Sequence, residues 1–262
     1  MQPGNFLEFL DAAHLSKYVE SPYHQRGGIM IVGPPNTLKS TFIEKAFGEY
    51  PNSLILSDIN VNTLTQIKDD LAAGHYPTIA FPAFEKLYQR HKSTSANVEG
   101  YLMALVEEGY SRASFEDQRM AAIKARALIV GAIPYSFYQS NYTRWNQSGF
   151  LRRFLWCVLR LKDSEKIMDA IHNWKLIPFN GVSHRIPGSK SISYSLSAQE
   201  SRSLRAMIRE QPSGNSTPYV LLKKIHCALK WKYSGTSHPT LYKKIMDDVS
   251  PAFGKEGAIV EL

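Results

Sequence analysis

Long apolar runs are absent from this chain of 262 residues, and cysteine is scarce. No stretch approaches the roughly 20 consecutive apolar residues that a transmembrane helix needs, so we expect no membrane span and no membrane partner. The first residues also lack the basic start and the long apolar stretch of a secretory signal. The two cysteines, Cys157 and Cys227, have no metal-ligand spacing and form no disulfide framework. A reducing, cytoplasmic setting is the simplest interpretation.

Acidic residues are too few to balance the basic ones. The chain carries 31 Lys and Arg against 23 Asp and Glu, which gives a net charge of +8. The excess is uneven, because residues 1–159 carry a net charge of +1 and residues 160–262 carry +7. A basic segment joined to a near-neutral one favours a polyanionic partner, in the first place nucleic acid. A solvated face of Lys and Arg is the alternative.

Strand-like and helix-like patterns alternate along the first 161 residues. Compact apolar segments that are typical of buried parallel strands lie at 27–33, 53–58, 77–81, 127–133 and 154–161. Segments with helical spacing lie at 6–20, 39–47, 61–74 and 96–109. This alternation predicts an α/β fold in which helices cover both faces of a parallel sheet, a three-layer αβα sandwich. We assign this core to residues 1–162.

The pattern changes after residue 162. Helices are predicted at 164–176, 197–211, 217–233 and 239–248, and residues 178–195 have the Pro, Gly and Ser content of a linker or a small hairpin. Ser197, followed three residues later by Glu200, is the signature of a capping box. Residues 163–262 are therefore predicted to form a basic, mostly helical C-terminal region, either a lid or a DNA-binding region.

The segment GPPNTLKST, residues 33–41, lies between a predicted strand and a predicted helix. It follows the phosphate-loop pattern G-x-x-x-x-G-K-[ST], which Gly33 opens and Lys39 and Ser40 close. In such a loop the backbone N–H groups of residues 35–40 would surround phosphates at the positive end of a helix. Lys39 would neutralise the β- and γ-phosphates, and the Ser40 hydroxyl would bind Mg²⁺. We expect ATP and Mg²⁺ as cofactors, with the nucleotide held by Gly33, Pro34, Pro35, Asn36, Thr37, Leu38, Lys39, Ser40 and Thr41.

Leu38 stands where the loop pattern has its second glycine. A positive φ at that position strains any residue that has a Cβ atom. Two outcomes are therefore open: the loop accommodates Leu38 at negative φ, or the cradle around the phosphates is looser.

The phosphate loop and the segment GFLRRFLWCVLRL, residues 149–161, resemble the AAA+ and related ASCE P-loop ATPases over about residues 25–162. In that superfamily an arginine finger precedes the fifth strand, and Arg153, with Phe154 after it and Arg152 before it, occupies that place. The resemblance implies that Arg153 acts on the γ-phosphate bound by a neighbouring subunit, in a homo-oligomeric ring or filament. A structural Arg pair at the start of a strand is the alternative.

The resemblance also implies an acidic pair at the end of the third strand, and the sequence departs from it. The strand TIAF is followed by Pro82 and Ala83, and the nearest carboxylate is Glu85, our first candidate for the base that activates water. Asp58, at the end of the second strand, is a second catalytic candidate and a candidate Mg²⁺ ligand. Either carboxylate could instead cap a helix.

The fourth strand is a second departure. It ends in Ile133 and Pro134, where the superfamily has a polar residue, and Ser136 or Asn141 could substitute only if a loop turned back. The two departures together favour slow hydrolysis or a nucleotide-dependent switch.

Candidate nucleic-acid contacts fall in two places. Arg90 and Lys92 lie between the third and fourth strands, where the resemblance implies a loop that faces DNA, and residues 111–120 could form a hairpin with a similar role. In the predicted helix 217–233 the apolar stripe leaves the lysines largely off the buried face, with Trp231 and Tyr233 among them. These lysines are Lys223, Lys224, Lys230 and Lys232, and Lys243 and Lys244 follow in the next helix. Solvated surfaces are the alternative for all of them.

The expected function is ATP binding and ATP hydrolysis by an oligomer that assembles on DNA, in replication, recombination or mobile-element transactions. One alternative is a nucleotide-dependent switch that hydrolyses little and recruits a protein partner. Another is a small-molecule P-loop kinase, although no acceptor motif is evident. A third is a DNA-binding module with a vestigial loop.

Overall fold

Five parallel strands form the central sheet of the computed structural model, which describes residues 1–57, 61–88, 92–109, 125–159, 164–175, 192–208 and 216–253. The strands of this sheet are β2 (Gly28–Gly33), β3 (Ser53–Ile55), β4 (Thr78–Phe81), β5 (Leu128–Pro134) and β6 (Phe154–Val158). Two short strands, β1 (Val19–Glu20) and β7 (Ile192–Ser193), pair in parallel in a separate sheet.

Nine α-helices occur in the described ranges: α1 (Pro3–Leu15), α2 (Lys39–Phe47), α3 (Val61–Ala72), α4 (Lys92–Val106), α5 (Tyr135–Ser148), α6 (Ser164–Asn173), α7 (Ala198–Ile208), α8 (Thr217–Tyr233) and α9 (Leu241–Val249). Short 3₁₀ helices follow or precede them at Ser16–Tyr18, Phe84–Tyr88, Leu151–Arg153 and Ser250–Ala252. Among these described helices, none has the length and apolar character needed to cross a bilayer.

The strand order β3-β4-β5-β2-β6 places β2, the strand before the loop at residues 33–38, between β5 and β6. From β2 the chain moves to the edge strand β3, returns through β4 and β5, and then passes β2 to reach β6. The direction of the connections therefore reverses between the neighbouring strands β2 and β5. In open parallel sheets, ligands bind in the crevice outside the carboxyl ends of the strands at such a reversal.

Alternate residues of each strand pack on opposite faces of the sheet, as the strand period of two requires. Ile29 and Ile31 belong to one buried cluster, the first face, which also holds residues of α1, α2, α6, α7, α8 and α9. Met30 and Val32 belong to the other cluster, the second face, together with residues of α4 and α5. Helices on both faces of an all-parallel sheet make an α/β fold that is compatible with the expected three-layer sandwich.

Apolar patterning located all five strands of the sheet and predicted the bounds of α2 and α8 as the structure has them. The capping box is confirmed, since the Glu200 N–H donates to Ser197 Oγ at 3.1 Å and the Ser197 N–H to Glu200 Oε2 at 2.7 Å. The predicted first helix extended too far, because it ends at Leu15. Helix α4 begins at Lys92, earlier than predicted, and α5 was missed altogether.

The helices described after residue 163 share the hydrophobic cluster of the first face with α1 and α2. Helix α8 packs on α1 and on β6, so it covers the sheet directly. This packing differs from that of an exposed, detachable lid. The division into a core at 1–162 and a region at 163–262 was predicted from the end of the strand–helix alternation and from the change in charge.

A charged group lies inside this first-face layer. Lys232 Nζ of α8 donates to Glu8 Oε2 at 2.5 Å and to Asp11 Oδ2 at 2.7 Å, both on α1. Tyr233 and Trp174 complete the hydrogen bonds of Glu8, and Tyr50 donates to Asp11. Because a buried charge that loses its partner is strongly destabilising, these contacts fix α8 against α1.

Candidate functional site

The loop at residues 33–38 leaves the sheet at the point where the connections reverse. Gly33 at the end of β2 is aligned with Pro134 at the end of β5. Helix α2, which follows β2, packs on the first face, and α5, which follows β5, packs on the second. Both helices therefore begin at the same edge of the sheet, and their N-termini lie on either side of the crevice between β2 and β5.

Backbone torsion angles show how residues 34–38 turn back toward the helix. Asn36 has φ 61° and Leu38 has φ 55° and ψ 21°, both in the left-handed region. The first of the two outcomes expected for Leu38, a loop at negative φ, is therefore wrong. The loop keeps the left-handed conformation that a glycine would adopt there, and the chain accepts the strain of a Cβ atom at this position.

Gly33 is required at its position for a separate reason, which is close contact. A Cβ atom placed on Gly33 would lie 2.9 Å from Thr37 Oγ1 and 3.1 Å from the backbone oxygen of Leu159. The N–H of Leu159 donates to the Val32 oxygen at 2.8 Å, so the chain beyond β6 is held against the loop. The first residue of the loop pattern thus permits the tight turn.

Lys39 is curled over its own loop. Its Nζ donates to the Gly33 oxygen at 3.0 Å, to the Pro34 oxygen at 2.6 Å and to Thr37 Oγ1 at 3.0 Å. The residue is only 9% exposed, and burial lowers the pKa of its ammonium group, while the nearby Glu85 carboxylate opposes that shift. All three acceptors are neutral, so they do not compensate the positive charge of Lys39 within the loop.

The start of α2 offers backbone donors beside this ammonium group. The first intrahelical bond runs from the Phe42 N–H to the Leu38 oxygen, and Leu38 provides no side-chain cap. The N–H groups of residues 38–41 thus have no acceptor within the helix. The prediction that the N–H groups of residues 35–40 surround phosphates is wrong at its first residue. Pro35 has no N–H, so the series of donors can begin only at Asn36.

Ser40 faces the end of β4. Its Oγ donates to the backbone oxygen of Pro82 at 2.8 Å, which connects the start of α2 to the turn after β4. Glu85, in the 3₁₀ helix that follows this turn, is partly buried and lies near enough to Lys39 to affect its pKa. The structure therefore brings Lys39, Ser40 and Glu85 together, whereas Asp58 lies outside the described residues.

The two polar substitutes considered near the end of β5 lie on a helix rather than on a loop. Ser136 is exposed in the first turn of α5, directly beyond the strand end that is aligned with Gly33. Asn141 lies further along α5, where its Nδ2 donates to the Phe137 oxygen and its Oδ1 accepts from Arg144. Of the two, Ser136 is therefore the one at the crevice. The α5 N-terminus itself was not foreseen, because its residues show no clear apolar period.

Arg153 lies at the other end of the sheet. It precedes Phe154, which is aligned with Gly28 at the start of β2, about 17 Å from the loop at ~3.3 Å per residue. Its Nε donates to Glu107 Oε2 at 2.6 Å, and its Nη1 donates to the Gly149 oxygen at 2.9 Å. Arg153 therefore lies far from residues 33–41 of its own chain. Arg152 beside it is exposed.

The expectation that the four lysines of α8 lie off the buried face is wrong for three of them. Lys223, Lys224 and Lys232 are 7%, 3% and 4% exposed, because α8 is enclosed by α1, β6 and the segment before β2. Lys232 is paired with carboxylates, and Lys224 Nζ donates to backbone oxygens of Tyr23 and Gln25. A helix packed on several sides buries lysines on more than one of its faces.

The remaining basic candidates differ in exposure. The Lys230 side chain is 43% exposed and pairs with Glu200 at 3.1 Å, and Lys243 and Lys244 are exposed on α9. Lys92 begins α4, but its side chain, Arg90 and the expected hairpin at 111–120 with Arg112 and Arg119 lie outside what the structure describes.

No protein-family model matches this chain, and no curated protein matches it.

Proposed function

We propose that this chain binds a nucleoside triphosphate, in the first place ATP, at the loop formed by residues 33–41. The observation that carries the proposal is the conformation of this loop: Leu38 is left-handed, and Lys39 Nζ lies over the loop oxygens at the N-terminus of α2. Uncapped N–H groups and a buried ammonium group together favour a multiply charged phosphate chain.

Each group of residues at the crevice has its own proposed role in binding the nucleotide. The N–H groups of residues 36–41 bind phosphate oxygens, and Lys39 exchanges its neutral acceptors for the charged phosphates. Gly33 and the turn at Pro34 and Pro35 keep the backbone close. Ser40, together with Asp58, is the candidate to hold Mg²⁺, which when bound neutralises part of the phosphate charge.

Hydrolysis is expected to be slow. Among the described residues at the crevice, the carboxylate near Lys39 is Glu85, which lies on a 3₁₀ helix after the strand rather than at the strand end. Glu85 is thus our candidate for the general base that orients water. A nucleotide-dependent switch remains the second candidate function, favoured by this displaced carboxylate and by the apolar end of β5.

Assembly into a ring or filament remains part of the proposal and rests on Arg153 alone. If Arg153 acts across a subunit interface, it must leave Glu107 to do so. Mixing Arg153→Ala chains with Lys39→Ala chains should then restore hydrolysis that neither chain has alone. Failure to restore it, in samples where mixed oligomers form, would make Arg153 a structural residue.

We propose that DNA contacts the more exposed lysines of the C-terminal helices, Lys230, Lys243 and Lys244, and not the buried ones. Replacing all three with Gln should weaken DNA binding and reduce its dependence on salt, because fewer phosphates are neutralised. Lys45→Gln, at a partly exposed lysine of α2 that pairs with Glu49, is the single-charge control. Unchanged salt dependence in the triple variant would place the contact elsewhere.

Titration calorimetry with a phosphate series tests the nucleotide site itself. Because the crevice offers its donors to phosphate groups, affinity with Mg²⁺ present should rise from AMP to ADP to ATP. Equal affinity for adenosine and ATP would show that the loop does not contact phosphates and would overturn the proposal.

A further inference from the structure

A second concentration of positive charge lies at the end of the sheet opposite the phosphate loop. A cavity of about 300 Å³ opens there between the segment 17–26, the end of α3, Arg126 before β5 and Lys224 of α8. Arg26 and Arg126 precede β2 and β5, whereas the phosphate loop follows β2. The two places are therefore separated by the length of the strands.

Four cationic side chains line this cavity, and the protein holds three of them in place through carbonyl oxygens. Lys224 Nζ donates to the Tyr23 oxygen at 2.8 Å and the Gln25 oxygen at 2.6 Å. Arg26 Nη1 donates to the Lys17 oxygen at 2.9 Å, and Arg126 Nη2 donates to the Glu108 oxygen at 3.0 Å. These bonds fix the positions of the cations in advance of any ligand.

The carbonyl acceptors satisfy hydrogen bonds without neutralising charge. In the described part of the chain, none of Lys17, Arg26, Arg126 and Lys224 forms a salt bridge with a carboxylate. Glu20 is the carboxylate among the lining residues, and it is exposed. In addition, Arg126 Nε is buried and lacks a hydrogen-bond acceptor among the residues that the structure describes.

Electrostatics within the cavity are repulsive. Burial, and after it the charge of Arg26, lowers the pKa of Lys17 to about 7. Burial and the charges of Arg26 and Arg126 lower the pKa of Lys224 to about 7 as well. Positive charges that repel one another in a partly buried cluster would be stabilised by an anion placed among them.

We propose that this cavity binds a small, multiply charged oxyanion of the phosphate class, the size of phosphate or pyrophosphate. The volume suits a few heavy atoms with their water, and four cations exceed what one monovalent anion would balance. Charge-assisted bonds from guanidinium and ammonium groups are the strong ones for such oxyanions. The site is separate from the phosphate loop and does not depend on the proposed nucleotide binding.

Calorimetry with inorganic pyrophosphate in the Lys39→Ala chain tests the site with the phosphate loop disabled. We expect saturable binding that Arg126→Gln weakens by about tenfold or more, since one charge-assisted bond contributes ~1.5–3 kcal/mol. Lys45→Gln, which removes a partly exposed lysine of α2 outside the cavity, should leave the affinity unchanged. Lys17→Gln repeats the test if Arg126→Gln does not fold, as judged by circular dichroism.

The charge of sulfate does not change near neutral pH, so any pH dependence of sulfate binding reports the protonation of the lysines and not that of the anion. Because a bound anion favours the ammonium forms, binding should take up protons, and sulfate affinity should fall from about pH 6 to about pH 8. The titratable and charged groups that face the two lysines are His14, Glu20, His24, Arg26 and Arg126. His14 contributes little charge, since burial lowers its pKa well below the usual value.

Two results would overturn the proposal. One is the absence of pyrophosphate binding in the folded Lys39→Ala chain. The other is binding that neither Arg126→Gln nor Lys17→Gln weakens, which would place the anion elsewhere. Neither result bears on ATP binding by the parent chain, so the failure of this site and the failure of the nucleotide site can be told apart.

Discussion

Replacing Leu38 with glycine tests whether the loop depends on its backbone shape or on the leucine side chain. At φ 55° and ψ 21°, a residue with a Cβ atom has a strain of ~1–2 kcal/mol, which Leu38→Gly removes. Two effects oppose the gain. Glycine gives the unfolded chain additional entropy worth ~0.5–1 kcal/mol. The partly buried side chain, packed against the core of the first face, also loses about half of the ~2 kcal/mol of a fully buried leucine.

These terms nearly cancel, so the free energy of unfolding should change by less than ~1 kcal/mol. Nucleotide affinity should stay within about threefold of the parent, because the backbone already has the glycine conformation. Leu38→Val is the contrasting variant, since a β-branched residue at positive φ is strongly disfavoured. We expect it to lower both the stability and the affinity. Urea denaturation and calorimetry with MgATP measure the two quantities.

Either of two results would refute this reasoning. A loss of affinity above about tenfold in a stable Leu38→Gly chain would show that the leucine side chain belongs to the nucleotide site. A Leu38→Val chain that matches the parent in stability and affinity would show that the left-handed conformation has no role.

Two further variants test the contacts that hold the fold. Arg153→Ala should lower the free energy of unfolding, measured by urea denaturation, by ~1–3 kcal/mol, because it removes the charge-assisted bond to Glu107. It should leave the affinity for MgATP, measured by calorimetry, unchanged. Arg152→Ala, at the exposed neighbour, should change neither quantity. Equal effects of the two Arg variants would contradict this assignment. Lys232→Met should cost ~3–5 kcal/mol, because the carboxylates on α1 stay buried without a cation. Burial raises the pKa of Asp11, and loss of Lys232 should raise it further. The free energy of unfolding that Lys232→Met loses relative to the parent should therefore grow with pH, as measured by denaturation at several pH values. A loss that does not depend on pH would contradict this assignment.

The strands and α2 could be predicted from the sequence because their apolar patterns are local. Segments such as GIMIVG are buried on both faces of the sheet, and this requirement appears directly as a continuous apolar run. The position of the turn between β2 and α2 follows from the order of an apolar run, Gly-Pro-Pro and an amphipathic segment. The left-handed conformation of Leu38 does not follow from the sequence, because the intrinsic preference of leucine is against the positive φ that the turn imposes.

The burial of Lys223, Lys224 and Lys232 could not be predicted from α8 alone. An apolar stripe on one helix face says nothing about how many neighbours cover the others, and here α1 and the segment before β2 supply them. The hydrogen-bond partners of Lys224 and Lys232 are about 200 residues away in the sequence, in residues 8–25. Long-range partners of this kind leave no periodic signal. For the same reason the cation-lined cavity is visible only in the folded chain.

The affinity for MgATP of Lys39→Ala, measured beside Lys45→Ala, tests the central claim most directly. Both lysines lie on α2, but Lys39 is buried over the loop at residues 33–37, and the Lys45 side chain is 27% exposed and pairs with Glu49. We predict that Lys39→Ala weakens MgATP binding by about tenfold or more, since it removes a charge-assisted contact worth ~1.5–3 kcal/mol, while Lys45→Ala binds like the parent. Equal affinity of both folded variants and the parent would contradict the assignment of residues 33–41 as a nucleotide site.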